Sequence, residues 1–361
     1  MLGHDSEKKR ILLLSDDLRM HSGIATQAKE FVMGTMDKYE WVQIAGAVKH
    51  PDEGKIIDMN VAAAENCGLE KAYLKLYPVS GYGNPEILRE ILKIEQPDAI
   101  LHFTDPRFWI WLYQMEHELR QNIPIMYYNI WDDIPDPLYN TNFYRSSDML
   151  MSISKQTYGI NKRILSKYDY EDWQTRYIPH GVSSKRFHKV HKSDENFKQF
   201  EQKLGLDKYK FKILYLNRNI RRKSPGDVAL AYKHMMDKLK PEQRKECVFV
   251  WQSQPVDENG TDMRAVCKTL LPEYPVIFTH DKGGPLNDVE MNYIYNSCDV
   301  YINMASNEGF GLGSLEALTV GTPIVVNVTG GLQDQCGFKN EKGEYLTADD
   351  YVELKSNHRG T

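Results

Sequence analysis

The sequence predicts an α/β protein of two domains, each a parallel sheet with helices on both faces. Three observations carry that prediction. A chain of 361 residues is longer than one typical core organises. Short apolar runs alternate with helical patterns from residue 10 to about residue 182, as βαβ units require. A polar, basic and apolar-poor stretch at 183–208 then interrupts the alternation, which restarts at residue 211.

In the first half, RILLLS (10–15) reads as a buried strand and WVQIAGAV (41–48) as a second. Between them Ile24 to Met33 reads as a helix, apolar at Ile24, Ala25, Ala28, Phe31 and Val32. Asn84 followed by Pro85 starts a helix running to about Glu95, because proline suits the first helical position. DAILHF (98–103), IPIMYYN (123–129), DMLMSIS (148–154) and TRYIPHGV (175–182) are further strands, with helices over Phe108 to Arg120 and from Lys155. The stretch 183–208 is expected to be linker plus a surface helix. In the second half the strands are FKILYLN (211–217), CVFVWQ (247–252), PVIFT (275–279), DVYIN (299–303) and TPIVVN (322–327). Ser224-Pro225 is expected to cap a helix to about Leu239, and Ser314 one over Leu315 to Val320. Helices over Met263 to Leu270 and Leu286 to Asn296 complete the set. The domains are therefore expected at 1–185 and 186–361, the second truncated at its C-terminus for want of a closing helix. Two such domains would leave a ligand cleft at the carboxyl ends of their sheets.

Hydrophobic residues make up 41% and charged residues 26%, as in an ordinary globular enzyme. A net charge of -5 argues against nucleic acid as the main partner, since phosphate neutralisation needs a basic face. No apolar run approaches the length of a membrane span, which leaves room only for peripheral membrane contact. The five cysteines are odd in number, scattered and without CxxC spacing, so they read as reduced thiols of a cytoplasmic protein. No HExxH or EF-hand pattern supports a metal site, and no cofactor is expected.

The segment NEGFGLGSLEAL (307–318) poses the functional question. Gly309, Gly311 and Gly313 crowd a helix start, where backbone N–H groups and the helix dipole favour an anion. Glu308 and Glu316 flank them, and carboxylates repel phosphate. Carboxylates do accept sugar hydroxyls well, two vicinal ones at a time. A nucleotide diphosphate sugar resolves the conflict. Its hydroxyls would meet the carboxylates, and its diphosphate the backbone N–H groups from Phe310 through Ser314, with Gly309, Phe310, Gly311 and Leu312 as the donor-binding candidates.

The run EGFGLGSLEALTVGTPIVVNVTGG resembles the E-x7-E signature of retaining, two-domain group 1 (family 4 type) glycosyltransferases, which have the GT-B fold of two facing Rossmann-like domains. The resemblance implies that Glu316 binds ribose and Glu308 the transferred sugar. It also implies that Arg218 and Lys223 in NRNIRRK (217–223) neutralise the donor diphosphate, replacing a metal. Gly23, in RMHSGIATQAKEF (19–31), falls where the family has a glycine-rich loop, although Ser22 replaces the second glycine. His102 matches a family histidine that contacts the sugar, and is expected to face the cleft. Asp132 is a candidate for acceptor hydroxyls, although Trp131 stands where the family often has histidine. The family often has proline where Gly313 stands. The implied reaction moves a hexose to a hydroxyl acceptor. Rival readings are a dinucleotide oxidoreductase, a phosphorylase or nucleotide-sugar epimerase of the same fold, and a non-catalytic nucleotide-sugar-binding module. The first fails at the third glycine of GFGLG and at Glu308, which would sit where pyrophosphate belongs.

Overall fold

The computed structural model describes residues 7–47, 49 and 51–353. It divides into two compact units between Gly181 and Val182, and residues 346–353 rejoin the first. The division falls four residues before the expected boundary at 185/186. Val48, the last residue of the expected second strand, lies outside the described residues.

The first unit is built on an eight-stranded sheet: β1 (Lys9–Asp16), β2 (Tyr39–Gly46), β3 (Ile57–Asp58), β4 (Leu74–Pro78), β5 (Ala99–Phe103), β6 (Ile125–Asn129), β7 (Met149–Ser152) and β8 (Thr175–Tyr177). Their order is β3-β4-β2-β1-β5-β6-β7-β8, and every pairing is parallel except β3 with β4. Alternate residues of a strand share a face. Leu12 and Leu14 of β1, Val42 and Ile44 of β2 and Ile100 of β5 accordingly form one core with Leu88 and Ile91 of the helix Pro85–Glu95. That helix starts as the sequence predicts, Asn84 accepting the Ile87 amide at 3.0 Å.

Two expectations change here. The predicted helix over Phe108 to Arg120 is three short pieces: a 3-10 turn Pro106–Trp109 and helices Ile110–Gln114 and Glu116–Leu119. Residues two apart point to different faces of an unbroken helix. The break at Met115 lets both Tyr113 and Met115 be buried. Second, β3, β4 and the helix Asn60–Cys67 occupy a region where the sequence pattern predicts no element.

The second unit has a five-stranded, wholly parallel sheet: β9 (Phe211–Leu216), β10 (Cys247–Gln252), β11 (Val276–Phe278), β12 (Val300–Asn303) and β13 (Ile324–Val326), in the order β11-β10-β9-β12-β13. Both faces are covered. Leu214, Val248, Val250 and Tyr301 belong to one core, and Ile213, Tyr215, Phe249 and Trp251 to the other. The helix Glu195–Leu204, expected to be superficial, buries Phe197, Phe200 and Leu204, a stripe at helical spacing hidden in a polar stretch.

A helix near the C-terminus does exist. Asp350–Glu353 packs on the helix Lys155–Leu165 of the first unit, with Tyr351 buried and its carbonyl accepting from Arg163 Nη1 at 2.8 Å. Lys155 Nζ donates to the Leu346 carbonyl at 2.5 Å. Gly159 leaves no room for a Cβ against the Tyr351 carbonyl. The helix spans four residues, too short to read from sequence periodicity. No helix among the described residues is long and apolar enough to cross a membrane.

Candidate functional site

Strand order builds the site in the second unit. β9 lies beside β12, with Ile213, Leu214 and Tyr215 opposite Val300, Tyr301 and Ile302. The turn after β9 and the loop after β12 therefore leave the same edge of the sheet, the carboxyl edge where open α/β folds place ligands. They are tied together there. The Ser306 amide donates to the Arg222 carbonyl at 2.8 Å, and Arg222 Nη1 donates to the Asn307 carbonyl at 2.8 Å. Beside these bonds the Lys223 ammonium meets the Glu308 carboxylate in an ion pair. Both side chains are largely covered, at 9% and 14% exposure, so the two charges neutralise each other where water screens little. Lys223 reaches inward because the 3-10 turn Arg221–Lys223 ends at Ser224 in a left-handed conformation (φ 48°), from which Pro225 starts the helix Pro225–Lys238. Ser224 thus stands at the predicted cap position, but its side chain makes no capping hydrogen bond.

The glycine-rich loop is held from both sides. The Gly331 amide donates to the Glu308 carbonyl at 3.0 Å, and Gln335 Nε2 donates to the carbonyls of Phe310 (2.6 Å) and Gly311 (3.1 Å). Phe310 is buried. Gly311 has φ 86°, and a Cβ there would lie 2.5 Å from Leu332 Cδ2, so both conformation and space demand glycine. The next helix is Leu312–Thr319 with Gly311 at its N-cap, three residues earlier than expected. Ser314 is therefore not the cap. It is buried in the first turn and its amide is bonded to the Gly311 carbonyl at 3.0 Å, which removes it from the amides open to an anion. Gly309, Phe310, Gly311 and Leu312 do form the approach to the helix N-terminus.

Glu316 falls in the second turn of that helix rather than the first, and is half-buried. Tyr295 donates its hydroxyl to Glu316 Oε2 at 2.7 Å. Burial pushes the Glu316 carboxyl above its usual range, opposed by the Tyr295 bond and the nearby charge of Arg186. Gly313 has a local explanation: a Cβ there would lie 2.7 Å from the Tyr301 hydroxyl and 3.1 Å from that of Tyr295. The two phenols fill the space that a larger residue would need.

Arg218 stands at the start of the turn after β9 with its side chain 60% exposed. Asp257 accepts from its Nε at 2.8 Å and its Nη2 at 3.3 Å. That carboxylate is itself anchored by the Asn259 amide at 2.9 Å. The loop bearing it is docked on buried Asn219, whose Nδ2 donates to the carbonyls of Pro255 (3.0 Å) and Thr261 (2.6 Å). The guanidinium is thus oriented by a carboxylate 39 residues away. Asp257, Tyr295, Tyr301 and Asn219 have no spacing signal in the sequence. They become visible only when strand order brings their partners to them.

The first unit holds the other candidates, and His102 differs from expectation. It is fully enclosed, its Nδ1 within 2.7 Å of the Tyr113 hydroxyl and its ring stacked on Tyr127 at 5.0 Å. Burial pushes its pKa down to about 3, so it is a neutral core histidine rather than an open strand-end group. The segment 106–115 covers it with Trp109 and Tyr113. Gly23 opens the helix Gly23–Gly34. Ser22 caps that helix, accepting the Ala25 amide at 3.1 Å and donating to Asp16 Oδ2 at 3.1 Å. Asp132 is half-buried in the loop after β6, beside Trp131, whose indole N–H donates to the Asp133 carbonyl at 2.6 Å. Among the described residues no group of three or more His, Cys, Asp or Glu side chains is placed to hold a metal ion.

Comparison with known proteins bears on the family and the fold. Residues 196–347 match the family described as Glycosyl transferases group 1. Alpha-monoglucosyldiacylglycerol synthase of Acholeplasma laidlawii is 26% identical over 187 residues, which is 52% of this chain and 43% of that protein. The chain spans less than half the length of the curated relatives it matches. Sucrose-phosphate synthase of Thermosynechococcus elongatus superposes with a TM-score of 0.67 at 16% identity, covering 97% of this chain and 88% of that one. An Anabaena protein in complex with UDP and glucose gives 0.63 at 15% identity, covering 95% and 89%. These structures establish the fold as GT-B, two Rossmann-like α/β domains.

Proposed function

We propose that this chain, whose residues 196–347 match the glycosyl transferases group 1 family, is a retaining glycosyltransferase moving a hexose from a nucleotide diphosphate sugar to a hydroxyl acceptor. The observation that carries this reading is the covered Lys223–Glu308 pair at the carboxyl edge of the second sheet. An ammonium has three donors. Lys223 can hold Glu308 and still reach a phosphate oxygen, which brings a sugar-binding carboxylate beside a diphosphate without net repulsion. Arg218, aimed by Asp257 and largely exposed, supplies the second cation. The amides ahead of Ser314 at the N-terminus of the helix Leu312–Thr319 add the dipole's positive end. Glu316 accepts the ribose hydroxyls.

In this scheme the leaving diphosphate gathers negative charge as the glycosidic bond breaks. Fixed cations and amides stabilise that charge in the transition state. The acceptor hydroxyl attacks from the face the diphosphate leaves and passes its proton to the departing phosphate oxygen, which retains configuration without a covalent enzyme nucleophile. Retention is what the E-x7-E signature implies. The Anabaena protein of the same fold, bound to UDP and glucose, supports a nucleotide-sugar donor. The cations take the place of a metal ion, so activity should survive EDTA.

A thermal-shift panel of UDP-, GDP- and ADP-glucose tests the donor assignment. A ligand at 100 times its dissociation constant stabilises by about 2.7 kcal/mol. Glu316→Ala should weaken that binding, and Arg218→Ala with Lys223→Ala should weaken it further. Full nucleotide affinity in the double cation variant would overturn the diphosphate assignment, and strict metal dependence would overturn the metal-free scheme.

A further inference from the structure

Glu316 sits in a helix of ordinary residues, yet its carboxylate is fixed by a group outside that helix. Tyr295 lies in the helix Asp288–Ser297, is fully buried, and donates its hydroxyl to Glu316 Oε2 at 2.7 Å. Its backbone is held in turn, the Thr322 hydroxyl donating to the Tyr295 carbonyl at 2.8 Å. Phe187 and Tyr301 pack edge-on or tilted against the ring, each with centroids 5.9 Å away. The phenol therefore has one orientation, and burial keeps it protonated as a donor. A glutamate has three side-chain torsions, and ordering them on binding costs rotamer freedom. A bond already in place removes part of that cost and leaves the remaining carboxylate lone pairs for a ligand. Gly313 is part of the same arrangement, since a Cβ there would crowd the Tyr295 hydroxyl at 3.1 Å.

We infer that Tyr295 is a positioning residue for Glu316: it presets the carboxylate for the vicinal ribose hydroxyls of the donor, and thereby sets discrimination between ribo- and 2′-deoxyribonucleotides. This rests on the reading of Glu316 as the ribose acceptor. Tyr295 touches no substrate and acts only through Glu316. A merely structural tyrosine would weaken binding of both nucleotide types alike.

The test measures dissociation constants of UDP, GDP and ADP, and of their 2′-deoxy counterparts, by calorimetry on the full chain. Wild type should bind at least one ribonucleotide about tenfold more tightly than its 2′-deoxy form, the value of one hydrogen bond to a charged group. Tyr295→Phe keeps the ring and removes only the donor, and the ratio should fall to within about threefold. Glu316→Asp draws the carboxylate back from the phenol without altering Tyr295, and should give the same collapse. The double variant Tyr295→Phe/Glu316→Ala should bind no more weakly than Glu316→Ala alone, because both changes remove one function. Full 2′-deoxy discrimination in Tyr295→Phe or Glu316→Asp, or additive losses in the double variant, would overturn the positioning role and leave the donor assignment intact. A wild-type protein that binds none of the three diphosphates would overturn the donor assignment itself.

Discussion

Gly313 shows how a single residue depends on distant neighbours. A proline or alanine there would place a Cβ 2.7 Å from the Tyr301 hydroxyl, which is held by donating to the Leu216 carbonyl at 3.1 Å. Gly313→Ala should therefore cost about 1–3 kcal/mol through overpacking. The loss, read from urea midpoints, should shrink in a Tyr301→Phe background, where the obstructing oxygen is gone. Histidines give a second residue-scale prediction. His102 is buried and His180 half-buried, and desolvation pushes each pKa from 6.5 down to about 3; for His102 the nearby Asp105 charge only partly opposes this. Both are neutral in the fold, whereas the unfolded chain takes up protons below about pH 6.5. Their contribution to stability is thus fully present above pH 6.5 and is lost as pH falls toward 3. The loss is up to about 1.4 kcal/mol per pH unit for each. Urea unfolding between pH 7 and 4 should show this decline, and it should flatten in a His102→Gln/His180→Gln variant.

Elements are legible to different degrees, for physical reasons. The strands β1, β5, β6, β9, β10 and β12 are flanked by neighbours on both sides, and their apolar runs stand out in the sequence. β4 escapes the pattern because LKLYP alternates with lysine and ends in proline, and its partner β3 is only two residues long. Helix starts read well where a short polar residue precedes the first turn. Asn84 caps as expected, and Ser154 accepts the Thr157 amide at 3.0 Å. Ser22 is the instructive case, since it replaces a glycine of the family pattern and turns the position into a cap. Ser22→Ala should destabilise the first unit by about 1 kcal/mol, whereas Ser22→Gly should cost only a few tenths. Equal losses in chemical denaturation would mean that the Asp16 contact, not the cap, is what matters.

At the scale of the whole molecule, chain order and spatial order part company at the C-terminus. Residues 346–353 belong to the first unit, although 164 residues of the second, Val182–Tyr345, precede them. Tyr351 anchors the return, and Gly159 permits its close approach. Gly159→Ala should dislodge the segment, and limited proteolysis should then cut between residues 337 and 353 faster than in wild type. Unchanged cleavage would show that the segment tolerates displacement. The same logic governs the candidate site. Lys223 and Glu308 are 85 residues apart, Arg218 and Asp257 39, and Tyr295 and Glu316 21.

The sequence alone carried the α/β class and most strands, set the expected domain boundary at 185/186, four residues past the division observed, and offered Glu308, Glu316, Arg218 and Lys223 as candidate groups. The class and the strands rest on local periodicity, which side-chain chemistry and backbone geometry fix directly, whereas the four candidates rest on the resemblance of two short motifs to a known family. Tertiary structure decided how these groups are partnered. It placed Lys223 on Glu308, Asp257 on Arg218 and Tyr295 on Glu316, and it enclosed His102 within an aromatic cluster. Each of those pairings depends on which strands lie side by side, and adjacency in a parallel sheet is set by long crossover connections that no local pattern encodes.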